Sequence, residues 1–199
     1  MWVVKIGGSL STNPVLPAWL DLLAESGRGR VIMVCGGGAF ADEVRRAQAR
    51  WQFSDLSAHN MAVLAMVQTA YLMHGLNPAL RPTRTMSDIR RVLRDGRTAL
   101  WLPFELQAKQ ANDRTNWQVT SDSIALELAH RLNVERLVLV KSCEIDTKAS
   151  LAQMSQAGIV DQRFAASSVG AAFPIDIVHH SEIARIRALL FGDLRYADV

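Results

Sequence analysis

The chain has 199 residues, of which 49% are hydrophobic and 21% charged, enough apolar material for a substantial core and too much for a disordered polymer. Lys and Arg together number 22 against 19 Asp and Glu, a net charge of +3 with no dense basic run, which argues against nucleic acid as a partner. No uninterrupted apolar stretch reaches the ~18 residues of a membrane span. Cys35 and Cys143 lie far apart, so neither a disulfide framework nor a zinc site is expected, and a cytoplasmic setting is.

Short apolar runs at 2–6, 31–35, 99–102, 137–140 and 175–178 read as strands covered on both faces. Segments with helical periodicity alternate with them at 16–23, 40–51, 56–72, 87–93, 123–132 and 181–190. This alternation predicts an α/β fold with a mainly parallel central sheet, in a single domain covering 1–199. The stretch 142–170 is rich in Ser, Ala and Gln and reads as a looser region with room for a lid. The tail 192–199 carries no motif.

The first strand ends in Lys5-Ile6-Gly7-Gly8-Ser9. Two glycines permit a sharp turn whose N–H groups can approach an anion, with the Lys5 ammonium and the Ser9 hydroxyl beside it. The second strand ends in Gly36-Gly37-Gly38 at the mouth of a helix, where free N–H groups and the helix dipole favour negative charge. Two such turns on neighbouring parallel strands would suit phosphoryl transfer, which needs alignment and charge neutralisation. A competing pattern overlaps the second turn. Gly36, Gly38 and Ala41 fill a G-x-G-x-x-A dinucleotide fingerprint with Asp55 about 20 residues on. Asp55, however, reads as a helix start, and the fingerprint normally marks the first βα turn. No Walker G-x-x-x-x-G-K-S/T motif occurs.

With Thr120-Ser121-Asp122-Ser123-Ile124-Ala125 and the strand at 137–140 added in order, the chain resembles the amino acid kinase superfamily. The resemblance implies a three-layer αβα sandwich, with an acceptor lobe over about 1–115 and a nucleotide lobe over about 116–199. It implies ATP as donor, Mg²⁺ carried on the ATP phosphates without dedicated protein ligands, and a homo-oligomer. On the family pattern Lys5 and Asp122 are catalytic, Asp122 holding Lys5 in place. Gly7, Gly8 and Ser9 meet the transferring phosphate, and Gly36, Gly37 and Gly38 face the acceptor. A helix cap alone would also explain Asp122.

Within the superfamily the chain looks most like small kinases of methanofuran-type cofactor synthesis. That likeness rests on the segments 58–66 and 117–122, on Leu139-Val140-Lys141-Ser142 and on Gly158-Ile159-Val160-Asp161. It implies phosphorylation of an aminomethylfuran-methyl phosphate, with isopentenyl phosphate or uridylate kinase activity as alternatives. A dinucleotide-binding oxidoreductase and a non-catalytic nucleotide-binding module are alternatives of another class. The chain departs from many relatives in lacking a Gly-Gly-Met segment with a late second lysine. Lys141, followed by Ser142, is the preferred substitute over Lys148. Arg45, His59 and Asn116 complete the expected acceptor side, each with an ordinary surface or cap role as the alternative.

Overall fold

The computed structural model describes residues 1–192, so all but the first residue of the tail 192–199 lies outside the described residues. Among the described residues six strands form one sheet: β1 (Trp2–Ile6), β2 (Val31–Cys35), β3 (Arg81–Thr83), β4 (Ala99–Trp101), β5 (Arg136–Lys141) and β6 (Ile175–His179). Every pairing is parallel, in the order β3-β4-β2-β1-β5-β6. The helices are α1 (Leu16–Ser26), α2 (Gly38–Trp51), α3 (Asp55–Leu76), α4 (Met86–Arg94), α5 (Ser121–Leu132), α6 (Leu151–Gln156), α7 (Phe164–Ser167) and α8 (Ile183–Leu190).

Side chains alternate between the sheet faces with period two. Val4, Ile6, Met33, Val138 and Val140 point one way, into a core completed by Trp19, Leu20, Met73 and Ile186 from α1, α3 and α8. Val3, Ile32, Val34, Leu137 and Leu139 point the other way, against Ile124, Ala125 and Leu128 of α5, with Met154 and Phe164 from α6 and α7. The sheet is thus covered on both faces, as the αβα expectation requires.

The chain leaves β1 for β2 on one side and reaches β5 on the other only after building β3 and β4. The carboxyl ends of β1, β2 and β5 therefore surround a topological switch point, where open parallel sheets form ligand crevices.

The main departures from the sequence expectations lie in β3, in the stretch 142–170 and in α3. β3 was missed: it has three residues, including Pro82, on the sheet edge, where a proline costs no ladder bond. The stretch 142–170 is not wholly loose. It contains α6, closed by a capping box between Ser150 and Gln153, and α7, and it buries Met154, Val160 and Phe164. Helices of six and four residues are too short for periodicity to reveal. α3 runs to Leu76, beyond the expected 72, and is capped by Ser54, whose Oγ accepts the Ser57 N–H.

Candidate active site

The two glycine turns touch each other. A Cβ placed on Gly8 would lie 2.3 Å from the Gly38 nitrogen, and one on Gly36 would lie 2.5 Å from the Gly8 nitrogen. Gly38 has φ +55°, a conformation that itself favours glycine. The five glycines do not all play one part. Gly7 donates its N–H to the Val140 carbonyl at 2.9 Å, and Gly36 donates to Ile6 at 2.9 Å. Those two extend the sheet and shape the turns. Gly8 opens a short 3-10 turn, and Gly37 and Gly38 begin α2, positions whose N–H groups have no intrahelical acceptor. The Thr69 hydroxyl of α3 donates to the Gly37 carbonyl at 3.0 Å and fixes the second turn from behind.

Strand register brings the charges together. Lys5 on β1 is paired in register with Leu139 on β5, so Lys5 and Lys141 share the face that packs on α5. Asp122, in the first turn of α5, bridges them. Its Oδ1 lies 2.8 Å from Lys5 Nζ, and its Oδ2 accepts a hydrogen bond from Lys141 Nζ at 2.6 Å. The Lys5 contact is an ion pair outside hydrogen-bond alignment, because Oδ1 makes no aligned bond. All three residues are buried.

Burial opposes ionisation of Asp122, but Lys5 and Lys141 outweigh it and hold the carboxyl below its ordinary value. Burial, reinforced by the Lys5 charge, pushes the Lys141 ammonium down to about 8 against the support of Asp122. Asp122 is thus an ionised clamp, and the cluster carries one surplus positive charge.

A cavity of about 280 Å³ opens beside the turns. Gly8, Ser9 and Gly36–Gly38 form one end, with Arg45, Ser121 and Thr120 nearby, and Ala58, Ala62, Val63 and Met66 of α3 make an apolar wall. Trp117 closes another side. Its ring lies 4.3 Å below the Arg45 guanidinium, and its Nε1 donates to Gln48 Oε1 at 2.6 Å. Gln48 Nε2 in turn donates to Asp55 Oδ1 at 2.8 Å. Asp42 and Asp55 bring two carboxylates to the cavity; sequence reasoning gave Asp42 no binding role and Asp55 only that of the acid in the competing dinucleotide pattern. Neither carried a sequence signal for acceptor binding.

The sequence-predicted acceptor residues all line this cavity, but two are also engaged elsewhere. His59 donates from Nε2 to the Leu106 carbonyl at 2.9 Å. Asn116 donates to the Asp113 carbonyl and accepts the Gln118 N–H, both at 2.9 Å. Both thereby also shape the long loop between β4 and α5. Asp55 is the first residue of α3, not the end of a strand, so the dinucleotide pattern lacks its ribose-binding acid.

A more open groove of about 560 Å³ adjoins the cavity and is lined by Asp122, Lys141, Gly158, Ile159 and Asp161. Arg45, Trp117 and Thr120 border both spaces. The Ser9 and Ser142 hydroxyls lie 2.7 Å apart and link the first turn to the end of β5. Lys148 is exposed on the loop beyond, so Lys141 is the second lysine at the cluster. The arrangement is a pair of adjoining spaces with backbone amides lining one and Lys141 the other, and Lys5 buried behind them on Asp122, suited to holding two anions in line.

Comparison with known proteins bears on the fold and the family. A curated relative, the [5-(aminomethyl)furan-3-yl]methyl phosphate kinase of Methanocaldococcus jannaschii, is 27% identical over 143 residues, 70% of this chain and 64% of the relative's length. The chain thus matches slightly less than two thirds of that protein. Uridylate kinase from Archaeoglobus fulgidus superposes with a TM-score of 0.71 at 15% identity, over 96% of each chain. The isopentenyl phosphate kinase of T. acidophilum gives 0.64 at 13% identity, over 95% of each. At such identities the structural likeness speaks for the fold. The model of the amino acid kinase family matches residues 1–144, and the chain belongs to that family.

Proposed function

We propose that this protein is an ATP-dependent kinase that transfers a γ-phosphoryl group to a small monophosphate. The observation that carries the proposal is Asp122 holding Lys5 and Lys141 at the junction of two touching glycine turns. Lys5 and Lys141, with Gly8, Ser9 and Ser142, would neutralise charge on the transferring group, and Gly7 would shape the turn. Gly37, Gly38 and Arg45 would hold the acceptor phosphate, with Gly36 shaping the approach and His59 and Asn116 lining the pocket. Residues up to about 115 supply most of the acceptor side, and those from about 116 the donor side.

Asp122 has both oxygens committed to lysines and a lowered pKa, which makes it a poor general base. A monophosphate acceptor needs none, since its oxygen is already ionised near neutral pH. The same commitment suits Mg²⁺ carried on the ATP phosphates; bound there, the metal would neutralise charge between donor and acceptor.

The favoured acceptor is an aminomethylfuran-methyl phosphate, the substrate type in the name of the Methanocaldococcus relative. The apolar wall formed by Ala58, Ala62, Val63 and Met66 fits a flat ring, and Asp42 and Asp55 fit an ammonium group. An isopentenyl acceptor would use the wall and the glycine end but neither carboxylate, whereas the ribose hydroxyls of a uridylate would donate to one of them without supplying a positive charge. We place the reaction in the cytoplasm, carried out by a homo-oligomer joined through the exposed Met61, Leu64, Leu72 and Leu76 of α3.

A coupled ADP-release assay over small monophosphates tests this, with an aminomethylfuran-methyl phosphate expected to give the highest kcat/KM. Tight ATP binding without turnover of any acceptor would support a non-catalytic module. Tight NADH binding without ATP binding would support a dinucleotide enzyme.

A further inference from the structure

We infer that Asp161 is a positioning residue for this site: its carboxylate locks the first turn of α5 and thereby aims Asp122 at Lys5 and Lys141. Thr120, the N-cap of α5, makes no side-chain cap of its own. Asp161, far along the chain, supplies the cap instead. Its Oδ2 accepts the N–H groups of Thr120 and Ser123 at 2.9 and 3.0 Å and the Thr120 hydroxyl at 3.0 Å. Its Oδ1 accepts the Ser123 hydroxyl at 2.5 Å and the Phe164 N–H at 3.0 Å. One carboxylate therefore ties the start of α5 to the start of α7. The Ser155 hydroxyl donates to the Asp161 carbonyl at 3.1 Å and adds α6 to the assembly.

Asp122 lies between the two residues that Asp161 holds. Its contacts at 2.6 and 2.8 Å leave little tolerance, because a small rotation of the first turn would lengthen one as it shortened the other. A fixed negative charge at the start of α5 is also favoured by the helix dipole. It occupies that anion-binding position, which leaves the glycine turns as the phosphate seats. Asp161 borders the same groove as Asp122 and Lys141, so the segment carrying α6 and α7 is mechanically joined to the charge cluster.

The test compares Asp161→Asn, Asp161→Ala and the milder Ser123→Ala with Asp122→Asn. Lys141 is the reporter, followed by NMR titration of ¹³C-labelled lysine and assigned with Lys141→Arg. The charged and titratable groups around Lys141 are Lys5 on β1, Asp122 on α5, Cys143 beyond β5, His179 opposite it on β6, and Arg45 and Asp161 across the groove. Asp122 supports the Lys141 ammonium, so its displacement lowers the midpoint. Asp161→Asn is expected to move that midpoint below the wild-type value of about 8, towards that of Asp122→Asn, with Ser123→Ala shifting it less.

The kinetic expectation rests on the kinase reading: kcat falls about 100-fold in Asp161→Asn through misplacement of the cluster, while the acceptor KM changes less than about two-fold. Folded Asp161→Asn and Ser123→Ala with a wild-type Lys141 midpoint would overturn the inference and leave Asp161 an ordinary helix cap. Absence of turnover in the wild type would instead remove the kinase reading, and the titration would still decide the role of Asp161.

Discussion

Gly8 and Gly38 lie so close that a single methyl group on Gly8 would fall 2.3 Å from the Gly38 nitrogen and 2.7 Å from its Cα. Both obstructing atoms are backbone, so no side-chain rotation relieves the clash. Gly8→Ala must push the turns apart. A displacement of this kind is expected to lower kcat/KM by about 100-fold. Gly75→Ala, where an added Cβ meets nothing within 4 Å, should preserve activity and leave Tm unchanged or raised, since alanine favours the helix. Steady-state kinetics and thermal melts on both variants check the contrast.

Removal of Asp122 strands two buried ammonium groups. Asp122→Ala is expected to cost about 3–5 kcal/mol of stability, the usual penalty for uncompensated buried charge. Lys5→Ala removes one charge and leaves Asp122 paired with Lys141, so its stability loss should be smaller. Its kcat should still fall at least about 100-fold through lost transition-state stabilisation. Urea denaturation beside ADP-release kinetics separates the two effects. Equal destabilisation by both substitutions would contradict the bridge.

Activity should decline with pH as Lys141 loses its proton. kcat/KM, which reports the free enzyme, is expected to fall above a midpoint of about 8. Lys141→Arg should abolish that limb, since arginine stays charged. Stability should move the other way for this group. The folded-state value of about 8 lies below the ordinary 10.5, so the unfolded chain binds more protons between them and stability rises with pH across that window. A pH-rate profile with parallel melts therefore distinguishes deprotonation from unfolding.

Asp55 is the sharpest probe of acceptor choice. Asp55→Asn keeps an oxygen that can accept from Gln48 but removes a charge from the cavity. The expected outcome is a rise of about 10-fold or more in KM for an amine-bearing monophosphate, from loss of a charge-assisted bond, with little change for a neutral one. Equal effects on both acceptors would assign the residue to loop support through Gln48 and Trp117.

The parts legible in the sequence were those whose physics is local. The apolar runs of β1, β2 and β5 announced buried parallel strands, and each glycine cluster stood at the end of one. Lys5 and Asp122 stood out as candidates because family motifs surround them, and the fold brings the two into contact. The roles of Gly7 and Gly36 were less legible, since only the folded sheet shows their N–H groups bonded to Val140 and Ile6. Asp42 carries no distinctive local pattern, Asp55 fitted only the competing dinucleotide spacing, and Asp161 stood in a segment shared with relatives without any sign of its role; their places come from cavities and helix ends contributed by other segments.

The sequence by itself determined the alternation of strands and helices, the two anion-friendly turns and the charges available to serve them, because period and backbone freedom are encoded within a few residues. The sequence preferred Lys141 to Lys148, but only the tertiary structure decided that Lys141 joins Lys5 on Asp122. That choice depends on the register of β5 against β1 and the placement of α5 against them, which bring two ammonium groups far apart in the chain within 3 Å of a shared carboxylate.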